Sequence, residues 1–263
     1  MRQNKKINKG KDVVAIFITC LVDIFRPSVG FATVKLIESA GYKVEVPAVQ
    51  TCCGQPAYNS GDFKGAREIA SNIIDTFSGY EIIVVPSGSC TGMMVKHFKE
   101  LFKNDQDMYR LADDFSKKTY ELVSFLSTQK RKKLLDVSFN ETITYHDSCS
   151  SLREIGIKKE ARQLLQEVRG LKIKELAFND VCCGFGGTFC VKYPEISENM
   201  VKEKLADAAS TKAKTLLSAD MGCLMNIAGR AIKEGRDLSC RHIAEVLAGN
   251  TEEAPIGKTS SNE

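Results

Sequence analysis

The stretch VCCGFGGTFC, from Val181 to Cys190, decides how the whole chain is organised. Two adjacent cysteines, Cys182 and Cys183, run straight into Gly184. The same tripeptide stands far upstream in TCCGQPAYNSG, as Cys52, Cys53 and Gly54. A buried structural cysteine is usually a single residue in an apolar run. Here turn formers follow each pair: Gln55, Pro56 and Gly61 after the first, Gly184, Gly186 and Gly187 after the second. Adjacent thiols on a loop can both turn toward one soft metal centre, and glycine lets the backbone come close to it.

Each CCG has partners at matching distances. Cys20 precedes the first by 31 intervening residues, and Cys149 precedes the second by 32. Cys90 follows the first after 36 residues, and Cys223 follows the second after 39. Equivalent cysteines are offset by 129, 130, 130 and 133 positions, an internal repeat of about half the chain. Eight of the ten cysteines obey it, which leaves Cys190 and Cys240 outside.

Bulk properties narrow the class. A chain of 263 residues with 43% hydrophobic and 27% charged content is that of a soluble globular protein, in one large domain or two modest ones. A net charge of +4, with no basic cluster among aromatic residues, argues against nucleic acid. The basic start MRQNKKINKGKD leads into an apolar run only from Val13 to Ile18. That run is too short for a transmembrane helix and lacks a small-residue cleavage site. The expected location is therefore the cytoplasm, where thiols stay reduced and a metal or redox role outweighs a disulfide framework.

Along the chain, short apolar runs alternate with helical patterns. Strands are expected at Val13 to Thr19, Lys43 to Val46, Glu81 to Val85, Thr142 to Tyr145, Leu171 to Ala177 and Lys214 to Ser218, with a last strand and helix over about Leu238 to Ala248. Helices are expected from Pro27 to Ala40, Phe63 to Phe77 behind an Asp62 cap, Met108 to Lys133, Lys158 to Arg169 and Ile196 to Ala209. This pattern predicts an α/β fold of two similar, Rossmann-like parallel-sheet halves. The first cysteine-rich domain is expected over residues 12–135 and the second over 136–249, with disordered tails at 1–11 and 250–263. Ligands in such folds gather beyond the carboxyl ends of the strands. Cys20, Cys90, Cys149 and Cys223 fall there, and the CCG loops can reach the same edge.

Four thiolates per half select zinc or an iron–sulfur cluster. Neither the paired spacing of structural zinc nor the tight ferredoxin run is present. Spacing favours iron–sulfur and keeps zinc as the alternative. His146 stands three residues before Cys149 and could hydrogen-bond the centre or move a proton, or serve as a structural histidine. Cys190 has no counterpart in the first half, where Ser60 holds its place, and is a further candidate ligand or redox partner. Cys240 reads as core. Arg153 and Lys192 lie near the second CCG and could balance charge or meet a carboxylate. GFGG has the wrong spacing for a dinucleotide fingerprint.

The cysteine pattern resembles the CCG cysteine-rich family, whose domain occurs twice in heterodisulfide reductase and in the iron–sulfur subunit of glycolate oxidase. The stretches TCLVDIFRPSVG, TCCGQPAYNSGD, PSGSCTGM, CCGFGGTFCVKYPEIS, ADMGCLMNIAGR and RHIAEVL are similar to the lactate utilisation protein A family and span about residues 13–248. The resemblance implies one or two iron–sulfur clusters, for which the eight repeated cysteines are the ligands and the 4Fe-4S type is favoured. It implies electron transfer in a cytosolic complex that oxidises L-lactate to pyruvate, with partners that include a ferredoxin-type iron–sulfur subunit. No base–nucleophile set accompanies the cysteines, so catalytic residues stay unassigned. The fuller CCG pattern ends in C-x-x-C, whereas Met93 and Asn226 occupy that last position here. Two rival readings accompany this one: a thiol/disulfide redox enzyme of the heterodisulfide reductase type, and a zinc-stabilised scaffold.

Overall fold

The computed structural model describes residues 10–129 and 135–258. Its first half runs β1 (Val13–Ile16), α1 (Cys20–Phe25), α2 (Pro27–Ser39), β2 (Lys43–Glu45), α3 (Gln55–Asn59), α4 (Phe63–Thr76), β3 (Ile82–Val85), α5 (Gly88–Gly92), α6 (Phe98–Leu101), α7 (Gln106–Lys117), β4 (Thr119–Glu121) and α8 (Leu122–Gln129). The second runs β5 (Thr142–Tyr145), α9 (Lys159–Leu165), β6 (Lys172–Ile173), α10 (Phe189–Lys192), α11 (Pro194–Ser210), β7 (Thr215–Ser218), α12 (Met221–Lys233), β8 (Ser239–His242) and α13 (Ile243–Leu247). The two sheets have the orders β2-β1-β3-β4 and β6-β5-β7-β8, with every pairing parallel. The α/β fold of two parallel-sheet halves is thus as the alternating pattern requires.

The repeat extends to strand register. Val14 pairs with Ile82 as Ile143 pairs with Thr215, and Val85 pairs with Glu121 as Ser218 pairs with His242. Ala15, Phe17, Val85 and Glu121 therefore correspond to Thr144, His146, Ser218 and His242. Backbone bonds agree: Phe17 N donates to Val84 O at 2.9 Å, and His146 N to Leu217 O at 2.8 Å.

Local chemistry explains the elements. β1 and β3, in the middle of the first sheet, are short, largely buried and rich in Val and Ile, as parallel strands covered on both faces must be. Pro27 opens α2, where its missing N–H costs nothing. Asp62 caps α4 by accepting from Gly65 N at 2.9 Å. One apolar cluster joins both halves: α2 packs on α13 and α8 on α9, burying Val29, Leu36, Phe125, Leu164 and Val246. A second cluster, around Phe17, Phe77, Phe98 and Phe115, belongs to the first half alone. Across the junction, the buried Arg26 donates from Nε to Glu245 Oε1 at 2.7 Å, and Ser28 Oγ donates to the same oxygen at 2.8 Å.

Several expectations are corrected. The helix expected over Met108 to Lys133 is interrupted by β4, because Thr119-Tyr120-Glu121 completes the first sheet beside β3; residues 130–133 lie outside the described residues. Charge along this segment masked a strand of only three residues. The strand expected over Leu171 to Ala177 is paired only at Lys172–Ile173, as an edge strand with a single neighbour. The helix expected to Arg169 ends at Leu165. Cys20 lies four residues past β1 and begins α1 rather than ending the strand. Residues 250–258, expected within a disordered tail, return to the second sheet, where Ile256 N donates to Cys240 O at 2.9 Å. Residues 1–9 and 259–263, the rest of the expected tails, lie outside the described residues. Two π-helical turns, Met93–His97 and Ser150–Glu154, have no sequence signal; such turns often flank functional sites.

Candidate metal centres

In each half the loops beyond the strand ends draw four thiols together. Cys20 and Cys90 enter from the first turns of α1 and α5, and Cys52 and Cys53 from the loop after β2. Cys20 Sγ donates to Cys52 Sγ at 3.8 Å, and Cys52 and Cys90 are the neighbours that, with burial, push the Cys53 thiol up. In the second set the same neighbours act on one another: Cys149 and Cys183 on Cys182, and Cys182 and Cys223 on Cys183. Burial is matched as well. Cys53, Cys90, Cys183 and Cys223 are buried, while Cys20, Cys52, Cys149 and Cys182 are half-buried.

One thiol of each CCG is set to be the thiolate. Hydrogen bonds from Cys20 and then Cys53 hold Cys52 down to about 2. Hydrogen bonds from Cys149 and then Cys183 do the same for Cys182, also at about 2. Their donors, Cys20, Cys53, Cys149 and Cys183, are pushed up by those same bonds and by burial. Cys223 is also raised: its interaction with Cys183 lowers it, but burial together with the charges of Asp220 and Cys182 outweighs that. In each group the neighbouring thiols favour ionisation of a sulfur of the CCG pair, and a soft cation binds such thiols by displacing their protons.

Glycine makes both loops possible. Gly54 and Gly184 take φ of +86° and +85°, the left-handed region that side chains rarely adopt. At Gly184 a Cβ would also stand 2.7 Å from Ser197 O; at Gly54 the nearest atom, Ile69 Cγ2, is 3.2 Å away. Gly184 N donates to Cys182 Sγ at 3.3 Å, and Ser197 Oγ donates to Gly184 O at 2.8 Å.

The two centres meet where the halves join. Ser87 and Asp220 are equivalent caps, of α5 and α12. Asp220 accepts from Gly222 N in its own half, and from Ser89 N at 2.8 Å and Ser87 Oγ at 3.2 Å in the other. One buried carboxylate therefore serves both helix starts that carry Cys90 and Cys223. A cavity of about 250 Å³ is walled by Cys20, Cys52, Cys53 and Cys90, and on its far side by Phe185, Thr188, Val191 and Met221 of the second half. A larger cavity of about 620 Å³ lies between Phe178 and α11 and holds none of the thiols.

The remaining candidates divide. His146 is fully buried, and its ring lies with Cys183 and Cys223, their ligand atoms all within 4.8 Å of one another. Burial lowers its pKa to about 3, so the ring is neutral. Cys190 is not drawn in: its Sγ donates to Gly187 O at 3.2 Å, and it borders a separate surface cavity with Pro194 and Asn226. Cys240 is core on β8, its thiol pushed up to about 12 by burial. Met93 is packed in the first-half core, and Asn226 Nδ2 donates to Cys183 O at 2.9 Å, pinning the second CCG backbone. Arg153 is exposed and donates to Asp180 O at 3.0 Å, and Lys192 is exposed on α10. Sequence reasoning missed Asp220 and the buried Lys204, whose Nζ donates to Phe178 O and lies 3.9 Å from Asp207. Aligning PSGSC with ADMGC would have drawn attention to Asp220.

Two parallel sheets that bring paired CCG thiols to their carboxyl ends define a duplicated cysteine-rich domain. The cysteine-rich domain family, CCG, matches the chain twice, over residues 14–95 and 143–228, and the chain belongs to it. It is 46% identical over 235 residues to Lactate utilization protein A 2 of Bacillus cereus strain AH820, covering 89% of this chain and 97% of that one. It is equally 46% identical over 234 residues to Lactate utilization protein A of Oceanobacillus iheyensis, covering 89% and 96%. Among solved structures, a hypothetical protein from Helicobacter pylori matches 97% of this chain and 51% of its own length, with a TM-score of 0.68 at 10% identity, a likeness of fold. Among the described residues no helix is long and apolar enough to cross a membrane.

Proposed function

We propose that the chain is an electron-transfer component of a cytoplasmic system that oxidises L-lactate to pyruvate, and that each half is a cysteine-rich domain carrying one iron–sulfur cluster. The observation behind this reading is the thiol grouping: four free cysteines gathered beyond the strand ends in each half. The donor sets fit such a group, since soft thiolates at a strand edge are what iron–sulfur clusters take. Cys20, Cys52, Cys53 and Cys90 would hold the first, and Cys149, Cys182, Cys183 and Cys223 the second. A bound cluster would supply one-electron chemistry at a potential set by burial and hydrogen bonding. The protein's own share is to keep water from the buried thiols, to orient the CCG loops through Gly54, Gly184 and Asn226, and to leave one half-buried pair in each group near the surface. Similarity to proteins named for lactate utilisation supports lactate as the substrate; a ferredoxin-type iron–sulfur protein among its partners is part of the proposal.

The Cys20–Cys52 distance favours a second reading. Sulfurs 3.8 Å apart match the edge of a tetrahedral zinc site, where Zn–S is about 2.3 Å. In that case the protein is a zinc-stabilised scaffold. Anaerobic purification followed by iron, labile sulfide and zinc analysis separates the two. About four to eight irons per chain with matching sulfide, and colour bleached by dithionite, is the expected result. Zinc without iron, even after reconstitution, overturns electron transfer. A protein without metal leaves Cys52 and Cys182 as redox thiols. Lactate oxidation reconstituted with partner proteins then tests the substrate.

A further inference from the structure

The two thiol groups are alike, but the sheet edges beneath them are not. Below the first group the equivalent positions are Ala15, Phe17 and Val85, all buried and apolar. Below the second they are Thr144, His146 and Ser218, each fully buried. Among the described residues, Thr144 Oγ1, Ser218 Oγ and both nitrogens of His146 have no hydrogen-bond partner. Leaving a buried polar atom unpaired costs about 1–3 kcal/mol, and such groups are ordinarily satisfied. Four of them at one strand edge, two on a ring packed against Cys183 and Cys223, point to something that belongs between the ring and the sulfurs.

We propose that His146 supplies a ring nitrogen ligand to the metal centre held by Cys149, Cys182, Cys183 and Cys223, so that the second centre has a mixed nitrogen–sulfur donor set and the first has sulfur alone. The inference rests on the metal-holding reading above. A neutral imidazole is a good ligand for iron and zinc alike. Its second nitrogen ordinarily leans on a nearby polar group, and Ser218 stands in the adjacent register position on β7 with a free hydroxyl. The C-x-x-C position cannot provide the extra donor here, because Asn226 is committed to the Cys183 carbonyl. His146 takes over that role from the end of β5.

The test uses the full chain labelled with ¹⁵N-histidine, reconstituted anaerobically with iron and sulfide, reduced, and examined by pulsed electron paramagnetic resonance. The other two histidines do not belong to this group: His97 lies between Glu100 and Glu154, and His242 caps α13. A strong ¹⁵N coupling on a reduced centre is expected, together with its loss in His146→Phe, which copies Phe17, while iron content stays at the wild-type level. The midpoint of the second centre should then shift while that of the first stays put, since only the second loses a donor atom. Full iron with no coupling, or only the weak coupling of a hydrogen-bonded ring, overturns ligation and leaves the metal reading standing. Failure to bind iron or zinc removes both. If His146→Phe does not fold, the labelled wild-type protein alone decides. If zinc is bound, absorption at the zinc edge asks the same question, with a nitrogen shell near about 2.0 Å expected beside sulfur near about 2.3 Å.

Discussion

The first half and the second half hold the same thiols on the same strand ends, yet what lies behind them has diverged. Phe17 is matched by His146, Val85 by Ser218, and Ile73 of α4 by Lys204 of α11. Each exchange puts a polar or charged group near the second centre. The paired Ser87 and Asp220 split in the same way, with the acidic member serving both sides. Duplication has conserved the donors, whose geometry is demanding, and has released the surroundings, which tune a centre without building it.

The comparison can be broken at the donors. Cys53→Ser and Cys183→Ser should each remove about half the bound iron and sulfide if the halves load independently. Loss of all metal from either variant would show that the centres assemble together. The next effect is at the junction. Arg26→Met leaves Glu245 buried without its cation, and urea unfolding should show a loss of about 3–5 kcal/mol.

A pH series sharpens the contrast further. Glu121 and His242 are equivalent residues at the starts of α8 and α13: Glu121 Oε2 accepts from Ser124 N at 3.0 Å, and His242 Nδ1 from Ala244 N at 3.2 Å. Burial pushes Glu121 up to about 8 and His242 down to about 4. For Glu121 the folded state holds its proton longer than the unfolded one, so stability falls as pH rises from about 4.5 toward about 8. For His242 the folded state resists protonation, so stability falls as pH drops from about 6.5 toward about 4. Each slope should amount to about 2–4 kcal/mol in urea titrations at stepped pH. Glu121→Gln should flatten the alkaline side only, and His242→Asn the acid side only. The smallest difference is at the loops. Gly184→Ala should cost about 2 kcal/mol and Gly54→Ala about 1 kcal/mol by the same assay, because only the former drives a Cβ against backbone.

Much of this was legible beforehand for a simple reason. Thiols and glycines are rare and chemically specific, so their repeat at offsets near 130 exposes the duplication, and apolar runs between helical periods expose the parallel sheets. The grouping of Cys20, Cys52, Cys53 and Cys90 needs only the rule that strand ends converge. What escaped has low information per residue. β4 is three residues inside a charged segment, β6 pairs over two, and the π-helical turns depend on packing between the halves at Gly88 with Ser151 and Gly92 with Glu154.

From the sequence alone come the α/β class, the two halves, the family likeness and the eight repeated cysteines, because periodicity and rare residues record local and repeated constraints. Only the tertiary structure decides which thiols of each group are buried and which half-buried, that Asp220 reaches across to the other half, and that Cys190 stands apart while His146 joins Cys183 and Cys223. Those facts depend on burial and on distances between residues far apart in the chain, and no pattern along the chain encodes the low-dielectric space in which they meet.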